Sequence, residues 1–259
     1  MERKKIALVL SGGAARGFAH IGAVRVLLEQ KVPIDMIVGT SAGSFVGAAM
    51  AAGMSGDEIQ AIGKKVGWLN MVRPSFSAKA LLSSGTIRRF VERNVPCVNI
   101  EETSIRFAAV AYDLIGRSQV VLTEGNLARA VQASCAVPGL FTPVVHDGRM
   151  LVDGGVIAPL PTDAAIAMGA ELVIGVDLLA AGASFHSRPR TAVGITMQST
   201  MRLLRTASDS QNSKPEVVII PQIAHLRPDQ ISKKDEFIRL GEEAALAQME
   251  RIWSLISQT

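Results

Sequence analysis

The chain has 259 residues with a formal net charge of +4; 48% of them are apolar and 19% charged. That composition excludes a disordered chain and suffices for one large α/β domain, spanning 1–259, with a sizeable core. The charge is too weak to argue nucleic-acid binding, and an aromatic content of 4% argues against base stacking.

Residues 6–10 form a continuous apolar run and predict a buried parallel strand. The basic residues before it resemble the start of a signal peptide, but Ser11-Gly12-Gly13 ends the apolar run too early for one. No stretch approaches the roughly 18 apolar residues of a membrane span. A soluble, cytosolic protein is expected, with room for peripheral membrane association. A glycine-rich turn covers 11–17. Residues 19–30 carry Ile21, Val24, Leu27 and Leu28 at helical spacing. The next strand, 35–38, runs into Gly39-Thr40-Ser41-Ala42-Gly43. This is a serine with glycine two places away on each side, where a buried strand turns into a helix over 44–52. So tight a turn strains its central residue and leaves no room for side chains beside it. Ser41 is then presented at a helix N-terminus, where the dipole favours developing negative charge.

Ser55 and Glu58, three apart, predict a capped helix start. Residues 68–85 read as irregular, with Trp68, Leu69, Met71, Val72 and Phe76 looking exposed, and a helix resumes at 86–94. Strands are expected at 105–112 and 119–122 and a helix at 126–135, stopped before Pro138. Asp147-Gly148 predicts a hairpin over 144–152. Then come Asp153-Gly154-Gly155, a helix at 161–168, a buried strand at 171–178 and a mobile small-residue segment at 180–190. A helix over 191–210, a strand at 216–220 and one long helix over 233–256 complete the chain. Alternating strands and helices imply an α/β layered fold with a largely parallel sheet. Cys97 and Cys135 show no metal or redox spacing and read as reduced, buried and inert.

Three motifs bear on chemistry. The 11–17 turn fits a dinucleotide phosphate loop poorly, because Ala14 takes the place of a second glycine; Asp35 is the only support for that reading. Small residues also leave backbone N–H groups open toward an anionic oxygen, which makes Gly12, Gly13 and Ala14 candidate oxyanion donors. Arg16 either holds the loop or adds positive charge, and tight turning alone remains an alternative for the glycines. A nucleophilic serine needs a base. Of the four histidines, His20 lies just inside the first helix, His146 beside the hairpin turn and His186 in the small-residue segment. Only His225 follows the chain order of a Ser41–Asp177–His225 triad. Asp153 ends an apolar strand, where carboxylates act in open α/β sheets, but an ordinary Asp-Gly turn reads the same way.

Together, Gly12-Gly13-Ala14-Ala15-Arg16-Gly17, Gly39 to Gly43 and Asp153-Gly154-Gly155, in that order, resemble the patatin-like phospholipase family. The stretch Ala133-Ser134-Cys135-Ala136-Val137-Pro138 resembles the family's segment before its aspartate. Ala14 departs from the family's third glycine; an alanine keeps its N–H. The resemblance covers about residues 5–176 and implies a three-layer fold. It also implies a histidine-free Ser41–Asp153 dyad, an oxyanion hole at Gly12, Gly13 and Ala14, and a lysophospholipid or simple carboxylester substrate. No cofactor or metal is implied, and no calcium-binding motif occurs. A free aspartate, with a pKa of about 3.9, is a feeble base toward a hydroxyl, so burial must raise its basicity or the anion loop must carry more of the barrier. On that basis Gly13→Pro is expected to cost at least about a hundredfold in rate. Residues 68–82, with Arg73 and Lys79, suggest a lid, a lipid-contact segment or ordinary packing. A lipid sensor with little turnover is the non-enzymatic alternative.

Overall fold

The computed structural model describes residues 3–67, 73–75, 79–182, 192–209 and 213–258. The apolar runs become β1 (Ile6–Leu10), β2 (Met36–Thr40) and β7 (Leu172–Val176), neighbouring parallel strands at the centre of an eight-stranded sheet. β8 (Val217–Ile219) extends this parallel side. On the other side β3 (Arg106–Asp113) pairs parallel with β2 and antiparallel with β4 (Ser118–Leu122). The hairpin of β5 (Val144–His146) and β6 (Arg149–Asp153) joins β3 antiparallel. Asp147 and Gly148 both have positive φ, the primed turn that their sequence predicts.

Both sheet faces are buried, which is why the inner strands read as unbroken apolar runs. Ile6, Leu8 and Leu10 face one core with Ile37, Phe107 and Ile174. Ala7 and Val9 face a second, smaller core with Met36, Val38, Ala108 and Val173. The larger core is covered by α1 (Phe18–Glu29), α2 (Ala42–Ala51), α3 (Gly56–Lys65), α4 (Gly85–Asn94) and α5 (Leu127–Ser134). The smaller is covered by α6 (Thr162–Ala167) through Ala164 and Ala165. Three layers result, as the family resemblance implies. The Ser55–Glu58 capping box forms as expected.

The register of β3 positions the site. β2 pairs along Arg106 to Val110, with Thr40 opposite Val110. β6 pairs along Ala111 to Asp113, with Asp153 opposite Ala111. β4 spans Ala109 to Asp113 and so overlaps both; it must occupy the opposite edge of β3. β2 and β6 therefore share one edge and run toward each other head to head. Ser41 follows the end of β2 and Asp153 ends β6, so two distant stretches of chain meet about one residue step apart, roughly 3.3 Å along β3.

One expectation changes. The long C-terminal helix is two, α8 (Lys234–Leu246) and α9 (Met249–Ser257). Between them the Gln248 N–H donates to the Ala245 carbonyl three residues back, which tightens the turn and breaks the α ladder. α8 crosses α1 backbone to backbone: a Cβ on Gly22 would lie 2.0 Å from the Ile238 oxygen, and one on Gly241 2.0 Å from the Ala19 oxygen. The helix predicted over 191–210 forms as α7 (Ala192–Asp209). Trp68, Leu69, Met71, Val72 and Phe76 lie outside the described residues, as do 183–190 with His186.

Candidate active site

Ser41 has φ 53 and ψ −124, the left-handed conformation that turns β2 into α2. The flanking glycines are required by contact. A Cβ on Gly39 would lie 2.5 Å from the Ser44 backbone, and one on Gly43 2.2 Å from the Leu10 carbonyl oxygen. The strained residue is held by its neighbours. The Ser41 N–H donates to Ser134 Oγ at 2.9 Å, and the Ser134 hydroxyl donates in turn to the Val110 carbonyl at 2.6 Å. The Ser44 hydroxyl donates to the Ser41 carbonyl at 2.7 Å.

Asp153 is buried, and the Gly155 N–H donates to its Oδ1 at 2.8 Å. Desolvation pushes its pKa up to about 6; hydrogen bonds from the Ser41 side chain and the Gly155 N–H oppose the rise. The structure thus brings the serine hydroxyl and the aspartate together, both on the wall of one cavity of about 230 Å³. Most of that wall is apolar, with Phe18, Phe45, Val66, Leu82, Leu140 and Ile231 among its residues.

The anion loop divides. Gly13 and Ala14 line the cavity, and their N–H groups have no acceptor among the described residues. Gly12 departs from expectation: its N–H donates to the Pro159 carbonyl at 2.9 Å, so it is no free oxyanion donor. Its backbone instead lies close to the nucleophile, a Cβ there falling 3.4 Å from Ser41 Cβ. Ala14 has φ 51, the conformation that favours the glycine it replaces. Gly13 has φ 171, outside the range of a proline ring, so Gly13→Pro would distort the loop as well as delete a donor. Arg16 is a brace: its guanidinium donates to the carbonyls of Leu178, Gly182 and Leu226 at 3.1–3.3 Å. Burial lowers its pKa to about 10. Gly17 packs on Ala42 and Gly154 on the Val110 carbonyl, which fastens both motifs to the sheet end.

None of the described histidines joins the pair. His20 is fully buried; its Nε2–H donates to the Ser11 carbonyl at 2.7 Å, and burial lowers its pKa to about 4. His225 Nε2 contacts Glu236 at 3.2 Å, away from the cavity wall. Asp177 accepts the N–H groups of Leu179 and Ala180. His146 contacts Asp147 at 3.5 Å beside the hairpin turn. Two residues exceed their sequence reading. Ser134 supports the elbow, a role visible only once α5 is packed. Cys135 lies on the cavity wall near Ser41 and Asp153, not in an inert core; burial and the Asp153 charge push its thiol pKa up.

Known proteins resemble this chain in sequence and in fold. A family model for patatin-like phospholipases matches residues 8–166. An uncharacterized NTE family protein of Mycobacterium tuberculosis is 36% identical over 209 residues, covering 79% of this chain and 57% of its own. The chain thus spans little more than half the length of that relative. Human patatin-like phospholipase domain-containing protein 6 is 34% identical over 183 residues, covering 67% of this chain and 13% of its own. Among solved structures, VipD from Legionella pneumophila superposes with a TM-score of 0.57 at 15% identity, over 96% of this chain and 67% of that one. ExoU of Pseudomonas aeruginosa, in complex with SpcU, gives 0.52 at 14%, over 97% and 53%. At these identities the structural likeness is one of fold.

Proposed function

The chain belongs to the patatin-like phospholipase family, and from that premise we propose that it is a serine acyl hydrolase acting on lysophospholipids or simple fatty-acyl esters. The observation that carries the reading is the strained Ser41 hydroxyl against a buried carboxylate at the wall of an apolar cavity. An acyl chain lies along that wall with its ester carbonyl at Ser41. Asp153 takes the hydroxyl proton as Ser41 attacks; a pKa near 6 makes it a better base than a free aspartate while it stays ionised at neutral pH. The developing oxyanion is received by the free N–H groups of Gly13 and Ala14 and by the N-terminus of α2. Collapse expels the alcohol, which takes the proton from Asp153 and leaves an acyl-serine. Water, deprotonated by the same carboxylate, then releases the fatty acid and regenerates the Ser41 hydroxyl.

The test has two parts. A fluorophosphonate probe should label wild type stoichiometrically at Ser41 and leave Ser41→Ala unlabelled. A screen of lysophospholipids and carboxylesters should show turnover that Ser41→Ala lacks. Labelling without turnover of any ester would favour a lipid sensor, and absence of labelling would remove the activated nucleophile.

A further inference from the structure

Gly12 gives up its own N–H to Pro159, yet its carbonyl still shapes the anion loop. The Gly13 N–H, a free donor on the cavity wall, belongs to the peptide that joins Gly12 to Gly13. That peptide is trans, so its oxygen and its N–H point in opposite directions, and whatever holds the oxygen aims the hydrogen. With a glycine on either side, it is also the peptide of the loop that rotates most freely. Among the described residues one donor holds the Gly12 carbonyl, the Ser11 hydroxyl at 3.1 Å.

Ser11 is fully buried, and all of its polar atoms are engaged. Its N–H donates to the Val176 carbonyl at 3.1 Å, and its carbonyl accepts the His20 Nε2–H at 2.7 Å. Its Oγ accepts the Leu178 N–H at 2.9 Å, which fixes the oxygen and leaves the hydroxyl hydrogen for the Gly12 carbonyl. The peptide between Ser11 and Gly12 is gripped at both ends, its oxygen by His20 and its N–H by Pro159. Burial lowers the His20 pKa to about 4, so this grip does not titrate near neutrality. The second free donor needs no side chain. Its peptide carries the Gly13 carbonyl, which accepts the Arg16 backbone N–H at 3.1 Å.

We propose that Ser11 is a positioning residue for acyl transfer: its hydroxyl holds the Gly12–Gly13 peptide so that the Gly13 N–H faces the oxyanion formed at Ser41. Ser11 is not on the cavity wall, so it acts through Gly12 and not by contact with an ester. A donor aimed in advance needs no reorganisation when the charge develops. The hydrogen bond to the carbonyl also polarises the peptide, which strengthens its N–H as a donor. The inference rests on the acyl-hydrolase reading. Its signature is a loss in the transition state with ground-state binding intact.

The test uses the full chain with a soluble ester and two ketones. Ser11→Ala should lower kcat at least about tenfold, part of the loss expected for one oxyanion donor, with KM within about twofold. A long-chain alkyl trifluoromethyl ketone separates aim from binding. Ser41 adds to its carbonyl carbon, the hydroxyl proton passes to Asp153, and the carbonyl oxygen becomes an oxyanion facing Gly13. Its inhibition constant should rise by the same factor as kcat falls. That of the matching methyl ketone, which binds without adding, should stay within about twofold. Ser11→Cys keeps the shape with a weaker donor and should show the same split to a smaller degree, and it carries the comparison if Ser11→Ala does not fold. An unchanged kcat in Ser11→Ala would overturn the inference. So would equal weakening of both ketones, the mark of a distorted cavity. A wild-type chain that turns over no ester would remove the acyl-hydrolase reading and this inference with it. Turnover by the wild type beside an unimpaired Ser11→Ala would remove this inference alone.

Discussion

Asp153→Asn is expected to abolish turnover and at the same time stabilise the protein. Burial of the carboxyl moves its pKa from 3.8 to about 6, against the hydrogen bonds from Ser41 and Gly155. A pKa higher in the folded than in the unfolded chain means that the folded chain holds the proton more tightly. The stability this group contributes is therefore complete below about pH 3.8 and is lost as pH rises through about 6. At about 1.36 kcal/mol for each step of one in pKa, the loss amounts to about 3 kcal/mol at neutral pH. The amide of the variant keeps an oxygen for the Gly155 N–H and never ionises, so it escapes the loss. Urea unfolding of both proteins at pH 5 and pH 8 isolates the effect, because every other group titrates in both. About half of the difference is already present at pH 5, so the variant's advantage should grow by about 1–2 kcal/mol between the two. An advantage that does not change with pH would show that residue 153 is not a buried ionised carboxylate. The case for it as the base would fall with that result.

Four further outcomes follow from the same geometry. Wild-type kcat/KM should fall about tenfold per pH unit below about pH 6 as Asp153 protonates, measured on a soluble ester; a flat profile to pH 5 would contradict the dyad. Ser134→Ala removes the hydroxyl between the Ser41 N–H and the Val110 carbonyl; it should cost about 1–3 kcal/mol in unfolding free energy and lower kcat with KM unchanged, and Ser134→Thr should restore part of both. Gly22→Ala or Gly241→Ala drives a methyl into a carbonyl on the facing helix and should destabilise by at least about 3 kcal/mol in thermal unfolding. His225→Ala should change kcat/KM less than about twofold, and a loss above a hundredfold would revive a histidine base.

What the sequence made legible was what local chemistry decides. The strand at Ile6 to Leu10, the elbow at Ser41, the Ser55 capping box and the Asp147-Gly148 turn each carry their instruction within a few residues. The break between α8 and α9 does not, because Gly241, Ala245, Met249 and Ile252 keep helical spacing straight through it while the hydrogen-bond ladder shifts at Gln248. The loss of Gly12 as a donor was equally hidden, since its acceptor, Pro159, comes from the far end of the chain's first two thirds. Cys135 was misjudged for another reason. A run of small apolar residues looks the same whether it faces packed side chains or an empty pocket. The meeting of Ser41 with Asp153 became certain only from the register of β3, although the motifs had named both.

The brace at Arg16 has a consequence for how the protein is made. Its three carbonyl acceptors belong to Leu178, Gly182 and Leu226, and the Ala15 N–H bonds the Pro228 carbonyl. During synthesis the first glycine-rich turn leaves the ribosome early, yet its fastening is complete only when Leu226 and Pro228, more than two hundred residues on, have emerged. A nascent chain carrying both Ser41 and Asp153 still lacks the frame for its amide donors. The loop is therefore set only after residues 226–228 have been made.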